Sequence, residues 1–200
     1  MGRYIFTGAP GAGKTALLEA LAGVGYPVVR EAATDVIVQQ IANGVPEPWT
    51  EGNFLSDVVR LQIVRQAQAE TARVVLFDRS PICTLALARY SGRPVPIDVS
   101  AEVDRLVGQG FYEPNVFLVR PLGSIERTAA RRITYEDSLL FEAIHESTYT
   151  GLGFNLVELP PTSLDSRVTT VKDAIEGHAA GRKLVPVSLD PTCRAASCGP

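Results

Sequence analysis

The sequence predicts an α/β fold in which a five-stranded parallel sheet is covered by helices on both faces. Two observations predict it. Short apolar runs alternate with longer helical stretches from residue 3 to about residue 178, and strands that alternate with helices must pair in parallel through crossovers. The first run and the first helix are joined by a glycine-rich turn, "GAPGAGKT", of the kind that lets a strand pass directly into a helix.

Each element follows in order. Arg3–Thr7, with Tyr4, Ile5 and Phe6 in sequence, has the continuous apolar character of a strand buried on both faces. Thr15–Leu21 has helical spacing. Pro27–Arg30 reads as a second short strand ending at Glu31, and Ala32–Ala42 as a helix. Glycine and proline make Asn43–Asn53 a loop. Phe54–Ala72 is a long helical stretch. Val74–Phe77 is a third strand, stopped by Asp78. A helix over Ile82–Tyr90 leads to a proline-rich loop over Ser91–Ser100 and a helix over Glu102–Gln109. Val116–Val119 is the fourth strand, Gly123–Arg132 and Glu136–Thr148 are helical, Phe154–Leu159 is the fifth strand and Ser166–Gly177 the last helix. Residues 1–178 thus read as one domain. Residues 179–200, with internal prolines and no periodicity, read as a tail outside the core.

The chemistry starts in the turn. Gly8, Gly13, Lys14 and Thr15 fill every fixed position of G-x-x-x-x-G-K-[ST]. Glycines let consecutive N–H groups converge on one anion, and the helix that follows turns its positive dipole end to the same place. Gly8, Ala9, Pro10, Gly11, Ala12, Gly13, Lys14, Thr15 and Ala16 are therefore expected to cradle the phosphates of ATP or another nucleoside triphosphate. Lys14 would meet the β/γ-phosphates and Thr15 would ligate Mg²⁺.

"VVLFDRSP" places Asp78 and Arg79 at the end of strand three. A carboxylate there can hold Mg²⁺, and the guanidinium can pair with phosphoryl oxygens; Asp78 as a helix N-cap is the alternative. Glu31 ends strand two and would open onto the same crevice as the glycine-rich turn. It is a candidate general base for an acceptor hydroxyl, or a substrate contact, or only a favourable charge at a helix start. Asp35 lies one helical turn on. In "SIERTAARRITYED", Arg127, Arg131 and Arg132 follow strand four and suggest a clamp over phosphates, with a solvated helix face as the alternative.

With these motifs the chain resembles the small P-loop kinases, in particular the AAA-type NTPase/kinase-like family that includes the ribosylnicotinamide kinase domain of bacterial NAD-salvage proteins. The resemblance rests on "GAPGAGKT", "VVREAATDVI", "VVLFDRSP", "ARRITYED" and "YTGLGFNLVELP" followed by "SRVTTVKDAI". It implies a P-loop NTPase three-layer sandwich with strand order 2-3-1-4-5 and a lid after strand four. It also implies that Glu31 is the base and that Arg167 lies where such kinases touch adenine.

The activity expected is ATP·Mg²⁺-dependent transfer of a phosphoryl group to a hydroxyl of a small-molecule acceptor. Glu31, Asp35, Trp49, Asn53, Phe54, Arg60, Arg79 and Tyr90 are the candidate acceptor contacts. A nucleotide-dependent switch or NTPase with a regulatory or lipid ligand in the acceptor crevice is the rival.

Composition narrows the partners. The net charge of −3 and the lack of a Lys/Arg cluster argue against nucleic acid and an anionic membrane surface. No apolar run reaches the roughly 18 residues of a membrane span, and Met1 leads directly into the first strand, so a cytoplasmic monomer or homodimer is expected. The three cysteines fit a reducing compartment. Cys83 reads as a small core residue, and Cys193 and Cys198, without a nearby histidine, do not read as a zinc site.

Overall fold

The computed structural model describes residues 1–69, 71–121 and 134–179. The elements are β1 (Gly2–Thr7), α1 (Lys14–Gly23), β2 (Val28–Val29), α2 (Ala33–Ala42), a 3₁₀ turn (Pro48–Thr50), α3 (Phe54–Gln68), β3 (Val74–Asp78), α4 (Pro81–Tyr90), α5 (Ile97–Gly108), β4 (Asn115–Val119), α6 (Tyr135–Gly151), β5 (Asn155–Leu159) and α7 (Leu164–Ala179). The strands form one parallel sheet in the order β2-β3-β1-β4-β5, as the family resemblance implied.

Alternation along the strands builds the two cores. Ile5, Val75, Phe77 and Val116 face α3, α4 and α5, where they meet Phe54, Val58, Val59, Ile82 and Leu106. Tyr4, Phe6, Leu76, Phe117, Val119 and Leu159 face the other way, onto Leu17, Leu18 and Leu21 of α1 and Val171 and Ile175 of α7. Each such side chain contributes roughly 1.5–3 kcal/mol by leaving water.

Several boundaries differ from the sequence expectation. α5 begins at Ile97, inside the stretch expected to be loop, where the carbonyl of the extended N-cap Pro96 accepts from the Val99 and Ser100 N–H groups at 3.1 Å. α3 stops at Gln68 rather than Ala72, where Ala69 turns extended. β2 is only two residues long and sits at the sheet edge. The helix expected over Gly123–Arg132, with Arg127, Arg131 and Arg132, and the tail beyond residue 179 lie outside the described residues.

The register aligns the chemistry. Phe6 of β1 lies beside Asp78 of β3, and the Arg79 N–H donates to the Phe6 carbonyl at 3.1 Å. The glycine-rich loop, Asp78 and Arg79 therefore emerge together from the carboxyl edge of the sheet, where α/β sheets place their ligands.

Candidate functional site

Gly8 leaves β1 with φ +129°, and a Cβ built there would lie 2.3 Å from the Val119 carbonyl oxygen. Only glycine fits, because the loop starts where two neighbouring strands end. Gly11 and Gly13 also have positive φ, and left-handed Gly13 caps the N-terminus of α1. Gly8→Ala is expected to cost on the order of 3 kcal/mol through strain and steric conflict. That corresponds to a fall of about 6–12 °C in Tm for a domain of this size, measured by thermal denaturation; an unchanged Tm would remove the close approach from this account.

Lys14 closes the loop on itself. Its Nζ donates to the Gly8 and Ala9 carbonyls at 3.0 and 2.8 Å, and the side chain is buried. Burial and then the neighbouring Arg79 charge lower its pKa, against the opposing pull of Asp78 and Glu31.

Glu31 and Arg79 form an ion pair, Nε to Oε1 at 2.7 Å. The second Glu31 oxygen accepts from the Thr34 hydroxyl at 2.8 Å. Burial raises the Glu31 pKa, but Arg79, the Thr34 hydrogen bond and Lys14 outweigh it and hold the carboxyl below its usual range. Arg79 keeps its charge: burial works against it, and Glu31 more than offsets the penalty. Its guanidinium donates to the Gly8 carbonyl at 3.3 Å and lies 5.7 Å from the centroid of the Phe141 ring. Asp78 is pushed up by burial and by Glu31, and its Oδ1 is buried with no hydrogen-bond partner among the described residues.

These groups border a cavity of about 820 Å³. Its wall includes the glycine-rich loop with Lys14 and Thr15, the charged Glu31, Asp78 and Arg79, Cys83, and the Thr84–Gln62 hydrogen bond of 2.9 Å. Trp49, Phe54, Tyr90 and Phe141 add aromatic surface, with Tyr90 edge-on to Phe141 at 5.1 Å. Arg93, also in the wall, donates to the Thr50 and Glu51 carbonyls.

Three expected acceptor contacts, Asp35, Asn53 and Arg60, do not line this cavity. Asp35 pairs with Arg65, whose guanidinium also donates to the Arg30 and Glu31 carbonyls. Asn53 donates to Asp57, and the mostly exposed Arg60 pairs with Asp57 and Asp98. Arg167 is likewise not presented as a free contact for a base. It is 3% exposed and donates to the carbonyls of Pro160, Ala12 and Arg120, bracing the loop from behind.

The sequence reading expected the helix now seen as α6 but gave it no part in the site. Phe141 packs over Arg79, and the Glu142 carboxylate accepts from the Ala9 N–H at 3.3 Å while pairing with Arg120 at 2.6 Å. Arg120 also pairs with Glu146 and Glu158. The signal available in "FEAIHESTY" was a stripe of Phe141, Glu142, His145 and Tyr149, polar and aromatic residues recurring at helical spacing on one buried face. Cys83, expected in the core, is buried but also reaches the cavity wall.

Known proteins share this framework. Among solved structures, NadR in complex with NR is similar at a TM-score of 0.66 and 16% identity, over 94% of this chain and 54% of that one; the chain thus spans about half of that protein. Deoxyadenosine kinase from M. mycoides with products dCMP and a flexible dCDP matches at a TM-score of 0.61 and 14% identity, over 88% of this chain and 99% of that one. The same enzyme with bound dATP matches at a TM-score of 0.57 and 13% identity, over 87% and 99%. At such identities the likeness shows the fold. No curated protein matches the chain at a significant level. A family model described as an AAA domain matches residues 3–167. The chain belongs to that AAA domain family, and its fold is that of a small P-loop kinase-like domain.

Proposed function

We propose that this chain is an ATP·Mg²⁺-dependent kinase that phosphorylates a hydroxyl group of a small molecule. The observation that supports it best is that one cavity is lined by the glycine-rich loop, by Glu31, Asp78 and Arg79, and by the aromatic side chains of Trp49, Phe54, Tyr90 and Phe141. A phosphoryl donor and a planar or apolar acceptor can lie end to end in such a space, which is what in-line transfer requires.

Lys14 and the loop N–H groups hold the triphosphate. The oxygen donors of Thr15 and Asp78 suit Mg²⁺, and the unpartnered buried Oδ1 of Asp78 fits a carboxylate that meets a cation. Bound there, Mg²⁺ supplies charge neutralisation at the phosphates. Glu31 takes the proton of the acceptor hydroxyl as its oxygen attacks the γ-phosphorus and the bond to the β-phosphate bridging oxygen breaks. A carboxylate already ionised at neutral pH is ready for that role without prior deprotonation. Arg79, with one Nη buried and unpartnered among the described residues, is placed to stabilise charge on the moving group. Arg127, Arg131 and Arg132 are proposed to close over the same phosphates, and Trp49, Phe54 and Tyr90 to hold the acceptor.

The test is incubation with ATP, Mg²⁺ and a metabolite extract, read by mass spectrometry. A product heavier by HPO₃, formed only with all three present, is expected. ATP consumption without such a product would replace the kinase by an NTPase.

A further inference from the structure

We infer that Tyr149 is a positioning residue for Arg79, acting through Ser80. Arg79 has φ +69° and is the only non-glycine residue with positive φ among those described. A side chain disfavours that conformation, so it persists only where its surroundings hold it. On one side the hold is the Arg79 N–H on the Phe6 carbonyl. On the other side is Ser80, extended and 1% exposed, at the N-cap of α4. An N-cap serine ordinarily turns its hydroxyl onto the free N–H groups of its own helix. Ser80 makes no such bond; its Oγ lies 2.8 Å from the Tyr149 hydroxyl instead.

The same hydroxyl lies 3.2 Å from Cys83 Sγ, which in turn lies 3.4 Å from Thr7 Oγ1, at the end of β1. Thr7, Cys83, Tyr149 and Ser80 thus form one buried chain of four groups, each carrying a hydrogen, across β1, α4 and α6. Burial keeps the Tyr149 phenol protonated, so it always has a hydrogen to share. Phe141, two turns earlier on α6, packs against the Arg79 guanidinium. One helix therefore fixes Arg79 at both ends: its backbone through Tyr149 and Ser80, its head through Phe141. Without the Tyr149–Ser80 hydrogen bond, Ser80 is no longer held, the strained backbone relaxes, and the guanidinium leaves Glu31.

The inference rests on the proposed role of Arg79 in phosphoryl transfer, and its test keeps the two apart. In Tyr149→Phe, the Arg79 Nε–H resonance, assigned by its loss in Arg79→Lys, is expected to exchange with water at least about 10-fold faster than in wild type. With the acceptor identified in the metabolite screen, kcat should fall by about 10-fold while KM for ATP stays constant. In an Arg79→Ala background the Tyr149→Phe change should add nothing, because both act through one group. If Tyr149→Phe fails to fold, Ser80→Ala removes the other end of the bond and carries the same expectations. An unchanged Arg79 resonance in a folded variant overturns the inference, as do effects on kcat that multiply across the two sites. If no form transfers phosphate, the kinase reading fails and the resonance alone still decides the role of Tyr149.

Discussion

Lys14→Ala is expected to lower turnover by about 10²–10³-fold, the usual loss when one charge-stabilising donor is removed from a reacting phosphate or oxyanion. ATP binding should weaken as well. A hydrogen bond to a charged group is worth roughly 1.5–3 kcal/mol, which is about 10–150-fold in Kd. The structure adds a second cause. Lys14 bonds the Gly8 and Ala9 carbonyls and so holds the loop closed on itself. Alanine leaves those carbonyls without the ammonium and the loop without its closure. Calorimetric titration with ATP, alongside turnover, checks both. Wild-type binding by the variant would show that the phosphates lie elsewhere.

Glu31→Gln is expected to reduce kcat on the true acceptor by about 10²–10⁴-fold, the range for loss of a general base, with little change in ATP affinity. Glutamine retains an oxygen for Arg79 but not the negative charge, so Arg79 is left without its compensating partner. pH supplies an independent check. The folded pKa of Glu31 is depressed, so its stabilising contribution is present above the ordinary carboxylate pKa and is lost as pH falls through the folded value. The variant should therefore lose less stability than wild type across that acidic window. Two other results would reassign the residue. A shift in binding of a second ligand, with no phosphorylated product from either form, points to a switch. Normal turnover with a stability loss of about 0.3–1 kcal/mol reduces Glu31 to a charge at a helix start.

What could be read from the chain and what could not follows from distance along it. The phosphate loop is contiguous, so glycines, lysine and threonine announce it together. Glu31, Asp78 and Arg79 were legible because each follows an apolar run, and in a parallel sheet every such run ends at the same edge. That Asp35, Asn53 and Arg60 do not line the cavity was not legible, because periodicity identifies a helix without saying which side faces a cavity. The wall took the apolar neighbours Phe54, Leu55 and Val58 and left those polar side chains to pair with Arg65, Asp57 and Asp98. α6 was legible as a helix, but its part in the site was not, for another reason. Glu142 meets Ala9 across 133 positions of sequence, and no local pattern encodes that encounter. The start of α5 was lost because Ile97 is 84% exposed and marks no core-facing stripe.

The unequal placement of β1 and β2 has a consequence for local stability. β1 lies at the centre of the sheet, hydrogen-bonded on both sides, so its amides should exchange with solvent only when the whole domain opens. β2 is an edge strand of two residues paired only with β3, and beyond it the chain is held by Arg65 on the Arg30 and Glu31 carbonyls and by the Glu31 side-chain contacts. Its protection should be lower by several orders of magnitude. The glycine-rich side of the cavity is thus built on the strand expected to yield least, and the Glu31 side on the strand expected to open first. Under the proposed kinase reading, substitutions in β2, α2 and the loop that follows should alter the acceptor side of the cavity while leaving the glycine-rich loop on β1 undisturbed.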